Sequence, residues 1–459
     1  MADSKSGRFA NHLNSLREKL RSFRREEREM ALKEVIAEID NGNLKPESSR
    51  PWSNLHAHTF FSYSCEDYSP SRLVLEAYLA GLSVIGSTDF DVLDSLEEMF
   101  SAGDSLGIRT TVSIETRAFV TPYADREINS PGEPGINYSL GVGFWRNPES
   151  GSPSATFLTT LALRSRQRNL GLIEKINPFL SPVALDYEAD VIPLTPAGNA
   201  TERHICAALD QKSRSIFPGK DALAVFWSDV LGRSPQDVEG LLSSPGAFRN
   251  AIRGKLMKKG GVGYVQPDGG SFPSQTDFFA MIRDAGAIPC LAWLDGSSLG
   301  ETDPNRLLGD FLDLGIMAVN IIPERNWNLA DPKKKEERLD ALARFIQTAR
   351  QLDLPILAGT EMNSPGQKLV DLFDTPELAP YREDFQQAAY WLYGHTCLAR
   401  TSGMGVGSDW TQEHFATDRR KINAFYREVG SRAEPGATGI ERRKRLHSGL
   451  VPAEVLDLL

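Results

Sequence analysis

Two histidines one residue apart, His56 and His58 in the stretch NLHAHTFFSYSCEDY, are the first side chains in this chain that could do chemistry together. The run Trp52 to His58 reads as a strand, and alternation along a strand turns residues i and i+2 to one face. Both imidazoles would then project from its end, a geometry suited to one divalent ion. A hydrogen-bonded histidine pair would use the same spacing. What separates the two readings is whether carboxylates arrive from other strands. Asp89 closes SVIGSTD, Glu115 closes RTTVSIE, Asp295 follows PCLAWL, Glu361 closes PILAGTE and Asp409 closes MGVGSD. Two nitrogens with several carboxylates make a ligand set for Zn²⁺, Mn²⁺ or Fe²⁺. Simpler roles compete for some of these groups. Asp89 or Asp91 could cap a helix beginning near Val92, and Asp295 before Gly296 is a turn signal.

The elements that must position these residues alternate along the chain. A helix from Ser71 to Gly81 leads into the strand Ser83 to Asp89, and a helix from Val92 to Leu106 into the strand Arg109 to Thr116. Such alternation implies a parallel sheet with its functional groups at the strand carboxyl ends. It stops near residue 150. Residues 151–277 read as an inserted helical subdomain, after which strands resume at Gly286–Trp293, Gly315–Ile322 and Leu354–Glu361. A helix from about Glu383 to Ala399 then leads to the short run Gly403–Asp409. The expected division is an amino-terminal helical extension (1–50), a first barrel part (51–150), the insertion (151–277), a second barrel part (278–413) and a helical extension (414–459). In the first of these, Leu13, Leu16, Leu20, Phe23 and Met30 form a helical stripe interrupted at Glu27. The preferred expectation is packing against its own domain; a coiled coil between subunits, and so a homo-oligomer, stays open.

At 459 residues, two to three domains or one elaborated barrel are expected. The 51 basic and 61 acidic residues give a net charge of −10, which argues against stable nucleic-acid binding. Four dispersed cysteines, Cys65, Cys206, Cys290 and Cys397, suggest neither a disulfide framework nor a zinc knuckle. The amino-terminal residues lack the apolar centre of a signal peptide, and no apolar run of about 18 residues occurs. A soluble, cytoplasmic protein without membrane attachment is expected.

HxHT, an STD turn, a carboxylate ending the next strand, an AW step, GTEMN and a closing GSD, in that order over about residues 52 to 412, resemble the PHP (polymerase and histidinol phosphatase) family. TERHICAAL and KKGGVGYVQP in the insertion resemble its phosphoesterase branch. The resemblance implies a distorted (β/α)7 TIM-like barrel that holds up to three metals and cleaves phosphate esters. Four family histidines are replaced, by Phe90, Ser139, Trp293 and Thr411. One ion's ligands survive as His56, His58, Glu115 and Asp409, with Glu361 nearby; Glu66 or Asp67 would be the ligand that follows HxHT. The resemblance therefore implies one divalent ion in a reduced site.

The function expected is a metal-dependent phosphoesterase acting on a small phosphorylated metabolite or nucleotide. Asp89 or Asp91 would orient the attacking water, and Arg117, Arg203, His204, Lys258 and Lys259 would hold the phosphate. A barrel that has lost catalysis and acts as a binding or regulatory protein is the alternative. Amidohydrolase-type chemistry fits less well, because no histidines follow the middle strands.

Overall fold

The computed structural model describes residues 2–64, 67–364 and 366–459, with side chains from Asn11 onward. Seven strands, β1 (Ser53–Ala57), β2 (Val84–Phe90), β3 (Arg109–Phe119), β4 (Ile136–Val142), β5 (Ile288–Trp293), β6 (Ala318–Ile321) and β7 (Ile356–Ala358), form one sheet in sequence order. A parallel bridge between Ala57 and Glu361 joins its two edges into a nearly closed barrel. Helices pack around it. Many of them start where the sequence places Ser or Asp directly before Pro. Ser69, Ser152, Asp303 and Asp331 each accept a backbone N–H as N-caps, with proline in the first turn.

One strand departs from the expected parallel sheet. β4 runs antiparallel to both β3 and β5. The link from β3 to β4 contains only the short turn Thr121–Tyr123, too little for a crossover helix, so the chain must return antiparallel. The reversal has a structural consequence: β4 delivers the chain to the amino-terminal end of the barrel. The 24-residue helix Pro153–Ile176 starts there, with Ser154 bonded to Asp284 just before β5. At about 1.5 Å per residue it then climbs past the barrel's height and carries the insertion to the mouth. Once there the insertion packs a core of its own around Ile176, Leu209, Trp227, Phe248 and Ile252. It is also tied to the barrel, since Asn199 Nδ2 donates to the carbonyls of Phe61 and Phe90.

The opposite end is plugged. Trp391, Leu392 and Tyr393 of the helix Arg382–Ser402 share a cluster with Val84, Ile288 and Ala318, the first residues of three strands. His395 of the same helix bonds Gly143 O and Val406 N, both at 2.9 Å, and burial lowers its pKa to about 4. It is a structural residue. Gly403–Asp409 therefore connects two helices at the plugged end and forms no strand.

The amino-terminal extension is two helices, Ala2–Lys19 and Arg25–Asp40, broken at Leu20–Arg24 and not at Glu27. Leu16, Leu20, Ala31 and Val35 join the main core, whereas Phe23 and Met30 of the expected stripe are exposed. The hairpin is fastened by Arg28, which pairs with the buried Glu98 of the helix Leu96–Leu106; Glu98 also accepts from Ser71 N and Oγ. Arg28→Met leaves that carboxylate uncompensated, and a loss of about 3–5 kcal/mol is expected in denaturant unfolding. A loss under about 1 kcal/mol would mean that water already reaches the pair.

Candidate metal centre

The barrel mouth brings His56, His58 and Glu115 together, all buried, with one ligand atom of each within 4.8 Å of the others. His58 Nε2 lies 3.4 Å, and His56 Nε2 3.9 Å, from Glu115 Oε2. Among the described residues neither Nε2 has a hydrogen-bond partner. A buried polar atom without a partner costs about 1–3 kcal/mol, and two aimed at one carboxylate are what a cation would resolve.

The other nitrogen of each ring fixes the tautomer. Asp89 accepts from Thr59 N, Thr59 Oγ1 and Ser62 Oγ, so the Ser62 hydroxyl proton is committed to Asp89. Ser62 Oγ, 3.0 Å from His58 Nδ1, can then only accept, which places the ring proton on Nδ1 and leaves the Nε2 lone pair bare. His56 Nδ1 lies 2.9 Å from Asn320 Oδ1, an acceptor with the same effect. Partners of this kind orient and sharpen metal-binding imidazoles. Gly359 completes the cradle: a Cβ there would fall 2.2 Å from His56 Cβ, so any side chain would displace the ring. The residues present fit an ion. Two imidazoles and one carboxylate leave positions open, as in catalytic rather than closed structural sites.

Burial alone would lower the His58 pKa, but Glu115, to which a protonated Nε2 would donate across 3.4 Å and whose charge adds to that, raises it above the ordinary value, with smaller contributions from Glu361 and Asp89. A proton and a cation compete for the same Nε2. Ion affinity should therefore begin to fall at a higher pH than an unperturbed histidine would give, by about tenfold per pH unit below that pKa. Calorimetric titration across pH 5.5–8 checks this; a flat affinity would exclude His58 as a ligand.

Several expected residues lie elsewhere. Asp409 is the exposed first residue of the helix Asp409–Phe415 and is outside the group, because that helix belongs to the plugged end. Thr411, bonded to Gly405 O and Tyr426 OH, and His414, packed on Trp410, share that location. Trp293 stacks on Phe345 in the helix layer, 4.5 Å between centroids. Ser139 also turns outward, to Gln275; its neighbour Tyr138 faces the mouth, since one residue of shift along a strand reverses the face. Asp295 is a turn residue that accepts from Ser297 N and pairs with Arg338. Asp67 is exposed and paired with Arg21, and Glu66 lies outside the described residues.

Neither Asp89 nor Asp91 caps a helix, which instead begins at Leu96 after Ser95. Asp89 accepts three hydrogen bonds from the loop after β1, which make it the anchor of that loop. Asp91 differs. It has φ +65°, its backbone N–H donates to Glu115 O, and its carboxylate accepts from Thr116 and lies 3.5 Å from Arg168. Burial raises its pKa, against the opposing pull of Arg168. Glu361 accepts from Arg325 and Asn363. Burial would raise its pKa, but Arg325 and the two histidines outweigh that and lower it.

Of the expected phosphate contacts, Arg117 reaches the mouth from β3, bonds Glu133 and lies over the Phe272 ring. Arg203 latches the insertion to the loop after β7 through Asn363 and Ser364. His204 is buried, accepts from Thr201 N in a capping box, and has its pKa lowered to about 3 by burial. Lys258 pairs with Glu202, and Lys259 is exposed. Two cations were missed. Arg168 approaches Asp91, and Arg253 pairs with Glu202. Their signal was the i, i+4 spacing of Arg164 with Arg168 and of Arg249 with Arg253, each marking one face of a helix.

No family model matches the chain, and no curated protein matches its sequence. Among solved structures it is similar to an amidohydrolase from Chromobacterium violaceum with bound sulfate and no metal, at 16% identity over 73% of this chain and 96% of that one, with a TM-score of 0.47. It is also similar to a candidate metal-dependent phosphoesterase from Bifidobacterium adolescentis, at 17% identity over 72% and 94%, with a TM-score of 0.46. At that distance the chemistry has to be argued from the site itself.

Proposed function

We propose that the protein is a metal-dependent hydrolase of phosphate esters with a one-ion centre on His56, His58 and Glu115. The observation that carries this reading is the pair of partnerless Nε2 atoms converging on Glu115 beneath a cationic roof. Arg117, Arg168, Arg253 and Lys258 share the carboxylates Asp91, Glu133 and Glu202, so the roof carries a surplus positive charge. An anion is the ligand that this surplus would balance.

A bound divalent ion supplies Lewis acidity at a phosphoryl oxygen and acidifies water. The chain's own residues do the rest. Arg117 and Arg168 hold the phosphoryl oxygens, and Arg offers the bidentate geometry that Lys lacks. Asp91, beside Arg168, is placed to accept a proton from water. Asp89 and Ser62 keep His58 in the ligating tautomer. The insertion, latched by Asn199 and Arg203, limits water at the mouth. The substrate is a small phosphate ester, since the acidic chain and the covered mouth disfavour a polymer.

Hydrolysis of 4-nitrophenyl phosphate with added Mn²⁺ or Zn²⁺ tests the proposal against Glu115→Gln, which keeps volume and removes a ligand charge. A loss of at least about 100-fold is expected in the variant, as for removal of a group stabilising developing charge. Equal inactivity of both proteins across metals and esters would favour the binding-protein reading.

A further inference from the structure

Beside the metal centre lies a second feature that the phosphate site does not use. An open cleft of about 570 Å³ runs between the amino-terminal hairpin, the loops after β1 and β2, and the helix Pro153–Ile176. Its apolar walls are Phe23, Phe61, Leu93 and Leu158. Phe60 braces both phenyl walls, edge-on to Phe23 at 5.5 Å and to Phe61 at 4.9 Å. Phe23 is 44% exposed although the hairpin around it is packed, so a ring presented to the cleft has area left to cover.

The charge of the lining selects against anions. Four carboxylates, Asp91, Asp94, Glu97 and Glu98, face two arginines, and both arginines are already paired, Arg25 with Glu97 and Arg28 with Glu98. Among the described residues no cation pairs with Asp94. Asp91 belongs to both places: it lines the cleft and lies 3.5 Å from Arg168 of the cationic roof. The volume is that of a small-molecule site, and its combination of apolar walls with a few polar groups is typical of one.

We infer that this cleft takes the alcohol portion of the ester, and that this portion is ring-bearing and non-anionic, held between Phe23 and Phe61 with Asp94 as acceptor for a cationic or N–H donor group. The division of charge follows: phosphate on the arginine side of Asp91, uncharged or positive ring on the other. The cleft's assignment to the alcohol rests on the phosphoesterase reading, but its ligand preference can be tested without turnover. Calorimetric titration of the full-length protein with naphthalen-2-ol, tyramine and naphthalene-2-carboxylate should show binding of the first two and none of the third. Phe23→Ala, a change at a half-exposed position, should weaken both ligands about tenfold, and Asp94→Asn should weaken tyramine several-fold while leaving naphthalen-2-ol unchanged. If the protein is active, Phe23→Ala should raise KM for aryl phosphates about tenfold and leave that for methyl phosphate unaltered. Ring binding with these variant effects but no hydrolysis would sink the phosphoesterase reading and keep the cleft. Preferential binding of the carboxylate, or ring binding indifferent to Phe23, would overturn the inference.

Discussion

His56→Ala combined with His58→Ala should reduce the divalent ion content of the purified protein from about one per chain to background. Each Nε2 is one of three converging ligand atoms, and the remaining carboxylate cannot hold an ion against water alone. The same variant should lose the stabilisation that the ion gives the folded chain. At an ion concentration about 100 times Kd that stabilisation is about 2.7 kcal/mol, a Tm shift of roughly 3 °C for a chain of this size. The apo protein should remain folded, because the barrel and its plug are built from other residues. Elemental analysis and thermal unfolding with and without Mn²⁺ or Zn²⁺ check the result. Retention of one ion per chain would move the centre elsewhere, and three tightly bound ions in the unaltered protein would contradict a one-ion site.

Arg168→Met should lower kcat/KM for a phosphate ester by about ten- to a hundredfold, mainly through KM, with metal content unchanged. The estimate follows from losing a charge-assisted hydrogen bond to a bound anion. A structural role would predict a different pattern. Arg168 makes a long contact to Asp91 and lies over the Phe272 ring, 4.7 Å from its centroid, and the methionine side chain keeps much of that packing, so its removal should cost little stability. If KM is unaltered while stability drops, Arg168 serves to hold the helix Pro153–Ile176 against the barrel and the phosphate must sit elsewhere.

Much of the centre was legible in the residues because strand periodicity is local. An HxH pair on a strand must share a face, which follows from backbone geometry that needs no partner; Glu115, expected at a strand end, lies instead within β3, which runs on to Phe119. The surrounding helices were legible for the same reason, since Ser-Pro and Asp-Pro starts satisfy their own first turns. Composition likewise bounded the chain as acidic and free of long apolar spans; among the described residues no helix is long and apolar enough to cross a membrane.

What only the tertiary structure decided concerns which end of the barrel a residue joins. Asp409 and Glu115 both close short runs with a carboxylate, but Gly403–Asp409 follows a helix that plugs the amino-terminal end, so Asp409 cannot reach the histidines. Ser139 against Tyr138 turned on the register of β4, which pairs Ser139 with Thr116 and Tyr138 with Arg117. Arg168 and Arg253 lie on helices whose faces become meaningful only once the antiparallel β4 sends the insertion over the mouth. Asp89 carried the right charge in the right place, yet three hydrogen bonds from Thr59 and Ser62 turn it from a base into the support of a ligand. Periodicity fixes a side chain's face within its own element, whereas its chemical role depends on partners distant in sequence, and those are set only when the barrel closes.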